Sequence, residues 1–209
     1  MKSRDYRNSE LFLRNNFEKD GEWGFPLIKR QNIDLSAIEL IACSDISKAD
    51  TLNLHKGIHH FTDDYRFESL YNHPDRCIEK YKKYRFVLTP DYSLYADMDL
   101  WRQIESIGKN RWVGAYWQKH GITVIPTLSW GKPSSYKFCF DGIERNSIVA
   151  VGMIGCRQSK IPFMKGYNQM LKVIDPSAII CFGKPFDEMK GNIIKVDYIL
   201  SRKVKRNGR

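Results

Sequence analysis

From Ile38 onward the chain alternates short apolar runs with longer segments whose apolar residues recur at helical spacing. Runs of four to eight apolar residues bounded by turn formers predict buried strands at Ile38–Cys43, Arg85–Leu88, Ile122–Leu128, Ile148–Ile154, Ala178–Phe182 and Ile193–Val196. Between them, Pro74 opens a helix carrying Ile78, Tyr81 and Tyr84. Asp97 or Asp99 caps a long helix with Leu100, Ile104 and Ile107 on one face. That helix runs on, or restarts after Gly108, through Trp112, Ala115 and Tyr116, and Gly121 closes it. Pro162 begins a third helix with Met164, Tyr167, Leu171 and Ile174 on one side, and Asp175-Pro176 stops it. Tyr136–Phe140 reads as a short extended piece turned by Asp141-Gly142.

Strands alternating with helices predict an α/β fold: one domain, with a mostly parallel sheet of about six strands and flanking helices, either an open sandwich or incomplete and barrel-like. A full eightfold barrel typically needs about 250 residues, more than the 209 present. Residues 1–34 read as an irregular, partly helical extension broken by Gly21, Gly24 and Pro26. Residues 35–200 form the α/β domain, and 201–209 a flexible basic tail.

Composition agrees with a folded chain. Five Trp, eleven Tyr and eleven Phe supply apolar area that a disordered chain lacks. The apolar stretch 148–154 is far shorter than the ~20 residues that span a bilayer, and Met-Lys-Ser-Arg-Asp-Tyr-Arg-Asn leads into no signal-peptide core. Five cysteines without Cys-x-x-Cys spacing suggest reduced thiols. The expectation is a cytoplasmic protein with no membrane partner.

The net charge of +10 is unevenly distributed. Arg202–Arg209 holds five bases (Arg202, Lys203, Lys205, Arg206 and Arg209) and no acid. Residues 38–79 hold four bases against eight acids, and 131–172 seven against two. A basic arm binds polyanions through counterion release, without reading sequence.

Ligands of parallel α/β folds bind beyond the carboxyl ends of the strands. Those ends offer Asp45, then Asp91 and Ser93 in the dense polar stretch Thr89–Asp99, then Arg157, Lys160 and Lys184. Asp91, directly after a buried strand, suits a general base, nucleophile or metal ligand. Asp45 and Ser93 are the further catalytic candidates. Carboxylates from early strands facing bases from late ones suit a phosphate-bearing substrate, with a divalent metal ion as the candidate cofactor. Gly152-Met-Ile-Gly155-Cys156-Arg157 suits anion binding at a bend, or simple close packing. Cys156 beside Arg157 is a candidate low-pKa thiol. His60, Asp63 and Asp64 are the candidate metal ligands, although adjacent His59 and His60 point to opposite faces of any strand. In 111–120, Arg111 and Trp117 are candidates for backbone contact and base stacking, with Trp117 the expected exposed ring.

Several stretches together carry a resemblance: Trp23-Gly24-Phe25-Pro26, His60–Glu68, Thr89–Tyr95, Asn110–Trp117, Val124–Trp130 and Phe138–Ile143. The chain resembles, over roughly residues 22–198, the phage-like proteins grouped as domain of unknown function 4417, found in bacteria, phages and plasmids. The resemblance implies a mobile-element context and no particular reaction. Three functions follow as expectations. The first is a phage or mobile-element protein that binds or acts on DNA or RNA through its basic tail and a strand-end crevice. The second is an enzyme on a nucleotide or nucleobase using Asp91. The third is a factor that binds a host or rival protein.

Overall fold

A computed structural model describes residues 3–201. The expected basic tail, with Arg202, Lys203, Lys205 and Arg206, lies outside the described residues. Two short helices, α1 (Ser3–Arg7) and α2 (Glu10–Leu13), and a two-residue hairpin, β1 (Lys19–Asp20) with β2 (Phe25–Pro26), make up the N-terminal extension.

The domain proper is parallel throughout. β3 (Leu40–Ala42), β4 (Gly57–His59), β5 (Phe86–Leu88) and β6 (Val124–Ile125) form one sheet in that order. β7 (Thr127–Leu128), β8 (Ile148–Gly152), β9 (Ala178–Phe182) and β10 (Ile193–Val196) form a second. Between β6 and β7 stands only Pro126, which has no N–H to offer a ladder. Thr89 bridges this break: its amide donates to the Ile125 carbonyl (3.0 Å), and its Oγ1 accepts the Thr127 N–H (2.8 Å). The Pro126 carbonyl in turn accepts the Ala150 amide of β8 (2.8 Å).

The wall of strands therefore runs in chain order and curves around an inner core. Leu40, Phe86, Leu88, Ile125, Ile148, Ala150, Ala178, Ile180, Phe182 and Val196 fill that core. Gly57 belongs to the same face, and a Cβ there would lie 2.2 Å from the Phe86 ring. Outside the first sheet pack α4 (Asp75–Tyr81) and the 20-residue α5 (Leu100–Lys119). Outside the second packs α6 (Lys160–Ile174), with residues 138–143. Among the described residues no ladder joins β10 to β3. A cleft lined by Ile38, Leu40, Lys195 and Val196 separates them, and α7 (Tyr198–Ser201) lies at its end. The architecture is the incomplete, barrel-like one. No helix among the described residues is long and apolar enough to cross a membrane.

Local expectations shift at β4 and at residues 133–137. β4 was unforeseen, because Gly57-Ile58-His59 carries one aliphatic residue and no alternation. The long helix runs on through Gly108 without a break, the first of its two expected courses, and a Cβ at Gly108 would stand in ordinary van der Waals contact with the Phe25 ring (3.5 Å). Residues 133–137 form a 3-10 turn in place of an extended piece. Pro133 sits at its first turn, and the Ser135 hydroxyl accepts the Gly131 amide (3.0 Å).

Candidate functional site

Beyond the carboxyl ends of the strands opens a cavity of about 800 Å³. Ser44 and Asp45 follow β3; His59 ends β4 and Phe61, Thr62, Asp63 and Arg66 follow it; Asp91, Ser93 and Tyr95 follow β5. Trp130 follows β7, Gly152, Ile154, Gly155 and Cys156 follow β8, and Phe182 ends β9. Three candidates from two separate loops, Asp45 from one and Asp91 and Ser93 from the other, thus line one space.

Asp91 is half-buried, and its carboxyl makes no side-chain hydrogen bond among the described residues. Burial, and next the charge of Asp64, push it up to about 7. Ser93 is held by Asp64, which accepts both its amide (3.0 Å) and its hydroxyl (2.9 Å). That makes Ser93 a strut of the Asp91 loop. Asp45 is exposed at the rim.

The two histidines ending β4 face opposite ways. His60 is fully enclosed: its Nδ1 donates to the Leu88 carbonyl (2.9 Å) and its Nε2 accepts from the Tyr81 hydroxyl (3.1 Å). With both nitrogens occupied, His60 is a core residue, which corrects its candidacy as a metal ligand. Asp63 is exposed beside Arg66 (3.8 Å), and Asp64 is turned to Ser93, so the three candidate ligands do not converge. Among the described residues no three His, Cys, Asp or Glu side chains are grouped to hold a metal ion. His59 faces the cavity wall. Its Nδ1 accepts the Phe61 amide (3.2 Å), its ring lies against Phe182 (centroids 4.5 Å apart), and burial holds it down to about 3.

Among the described residues Arg157, Lys160 and Lys184, the expected basic wall, do not line the cavity. Gly155 takes a left-handed turn (φ 77°) between Ile154 and Cys156, which border the space, while Arg157 and Lys160 stand in solvent. Lys160 pairs with Glu188 (2.6 Å), and exposed Lys184 is outside the lining. Gly152 is a packing glycine: a Cβ there would lie 2.9 Å from the Phe61 ring. The Cys156 thiol is pushed up to about 11 by burial and by Asp91, contrary to an activated nucleophile. Among the described residues the cation lining the cavity is Arg66, from the acidic early half of the chain.

Arg111 and Trp117 are corrected as well. Arg111 is fully buried, donating to the carbonyls of Asp141 (2.8 Å) and Cys139 (2.7 Å) and to Asn110 Oδ1 (2.6 Å). Trp117 is 0% exposed, packed on Tyr81 and stacked on His60. Neither reaches a ligand, because this helix is buried on more than one face. The exposed rings stand elsewhere, Tyr95 at the cavity mouth and Trp101 at the start of α5. Sequence reasoning passed over His59, Phe61, Arg66 and Phe182 as site residues. Their one available signal was position, just after β4 or at the end of β9.

Comparison with known proteins places this site in a family context. The chain is similar to the "Gene 1 protein" of Mycobacterium phage L5 (39% identical over 130 residues, 61% of this chain and 57% of the relative). It is also similar to the "Gene 1 protein" of Mycobacterium phage D29 (38% over 130 residues, 61% of this chain and 48% of the relative). The chain thus spans about half the length of these curated relatives. No solved structure matches it. The family described as "Domain of unknown function (DUF4417)" matches residues 17–199, which include every lining residue named above, and the chain belongs to that family.

Proposed function

We propose that this protein binds and acts on a nucleobase-type ring in the strand-end cavity, with Asp91 as the group that takes and returns a proton. The observation that carries the reading is the Asp91 carboxyl: it borders the cavity, lacks a hydrogen-bond partner among the described residues, and is held up to about 7. A group titrating near the working pH is present in both its acid and base forms, which favours proton transfer. Phe61, Phe182 and Trp130 give the cavity flat apolar walls, with Phe61 and Phe182 stacked at 4.7 Å. Such walls suit an aromatic ring. Among the described residues the charged lining is Asp45, Asp63 and Asp91 with Arg66, an acidic balance that favours the base over the phosphates of a nucleotide. A panel of free bases and nucleosides, screened by thermal shift and calorimetry, tests the reading. At least one should bind, and Asp91→Asn should abolish any turnover without lowering the melting temperature. No binding across the panel would sink it.

The net charge of +10 supports a second reading, nucleic-acid binding through Arg202–Arg209. DNA or RNA affinity should then fall steeply with salt, and removal of residues 202–209 should flatten that slope. Salt-independent affinity, or none, would exclude it.

A further inference from the structure

We propose that His59 is a fixed, uncharged hydrogen-bond donor that selects ligands carrying a carbonyl oxygen. This assignment rests on the cavity reading above and adds the ligand class to it. The tautomer follows from geometry. A ring nitrogen that accepts a backbone N–H carries no proton of its own, and Nδ1 of His59 accepts the Phe61 amide at 3.2 Å. In a neutral imidazole the proton then sits on Nε2. His60, the next residue, is the opposite tautomer, because its Nδ1 faces the Leu88 carbonyl, which only accepts.

His59 Nε2 has no hydrogen-bond partner among the described residues, and the side chain is 3% exposed. A buried donor left unpaired costs free energy, so it gains by meeting an acceptor. His59 borders the cavity between Phe61 and Phe182 (centroids 5.7 and 4.5 Å), whose rings keep it in an apolar setting where it stays neutral. Asp91, the proton-transfer group of the reading above, borders the same cavity. A donor and an acid–base carboxyl bordering one cavity fit a lactam, in which a ring N–H stands beside a carbonyl. When Asp91 as carboxylate takes the N–H proton, the electron pair released from that bond delocalises onto the carbonyl oxygen. The His59 Nε2–H stabilises the charge arriving there, and return of the proton from Asp91 restores both partners. The edge of adenine instead puts a ring-nitrogen acceptor beside an NH₂ donor, and adenine carries no exocyclic oxygen.

The test uses the intact protein with hypoxanthine, a lactam, and purine, which has the same rings without the carbonyl. Hypoxanthine should bind roughly tenfold or more tightly than purine, as expected where a buried donor would otherwise stay unpaired. His59→Phe should remove the difference, and His59→Gln, which keeps an N–H donor, should restore part of it. Nitrogen-15 spectra of the unmodified protein supply a readout that needs no variant to fold: His59 should appear as the Nε2–H form and His60 as the Nδ1–H form. Equal binding of the two bases, or an Nδ1–H form of His59, would overturn the role of His59 while leaving the cavity reading intact. Failure of both bases to bind while the wider base panel does would overturn the lactam assignment alone. Failure of the whole panel would overturn both readings.

Discussion

Ser93 donates twice to Asp64, through its amide at 3.0 Å and its hydroxyl at 2.9 Å, and this pair fixes the loop that carries Asp91. The bond joins the segment after β4 to the segment after β5, two neighbouring strands of one sheet. It also holds the Asp64 charge near Asp91, the second cause of the raised Asp91 carboxyl after burial. Asp64→Asn keeps one acceptor for Ser93 and removes the charge. The Asp91 titration, followed by NMR, should then drop from about 7 by on the order of one unit. An unmoved Asp91 would mean that burial alone sets it.

Stability should depend on pH through three groups with opposed signs. His59 and His60 are both held down to about 3 by burial, so below about 6.5 the unfolded chain gains two protons that the folded chain does not. Their contribution is full above 6.5 and is lost as pH falls toward 3. Asp91, raised to about 7 from 3.8, works the other way: the folded chain keeps a proton the unfolded chain has released, and stability is lost as pH rises through that interval. Between pH 4 and 6 these groups together should cost about 1.4 kcal/mol per unit of acidification. In Asp91→Asn the opposing proton is gone, and the slope should steepen by about 1.4 kcal/mol per unit. The variant should be the more stable protein at pH 8 and close to its parent at pH 3. Urea titrations over this range measure the slope, and parallel curves for the two proteins would contradict the raised Asp91.

Thr89 Oγ1 accepts from both Asn110 Nδ2 (2.9 Å) and the Thr127 amide (2.8 Å), in a fully buried position at the break between the two sheets. Thr89→Val keeps the shape and leaves a buried backbone N–H without its acceptor. The expected loss is about 2 kcal/mol, a fall in melting temperature of roughly 4–8 °C for a domain of this size. Thr89→Ser should recover most of it. A valine variant as stable as its parent would show that water or relaxation replaces the bond.

Arg14 ties the N-terminal extension to the helical layer. Its guanidinium lies 3.6 Å from the Tyr71 ring centroid and 4.0 Å from that of Trp112, and Nη2 donates to the Tyr71 carbonyl (2.9 Å). A desolvated stack of this kind contributes about 1–2 kcal/mol. Arg14→Ala should lower stability by that amount, shift tryptophan emission to the red, and speed proteolysis within residues 3–18. Arg14→Lys should rescue only partly, since an ammonium lacks the planar face. Unchanged emission would show that Trp112 stays covered without the arginine.

How much of this was readable in the chain varies by element. β8 and β9 are continuous apolar runs because both of their faces are covered, and such runs identify themselves. The helix after Pro74 and the long helix after Asp99 were equally plain from their spacing. Asp91 was found because a carboxylate directly after a buried strand falls where parallel folds bind ligands. β4 was missed because its inward positions are Gly57 and His59, suited to a neighbour, Phe86, that lies 29 residues from Gly57 in sequence.

The sequence by itself determined the α/β class with mostly parallel strands and the loops after β3, β5 and β8, since burial on one or two faces leaves a periodic trace along the chain. Only the tertiary structure decided that Trp117 and Arg111 are interior, that the late-strand bases stand outside the cavity, and that His59 and His60 hold opposite tautomers. Each of these depends on which carbonyl, amide or ring a side chain meets across the fold. That is a long-range choice, and it leaves no periodicity in the chain that makes it.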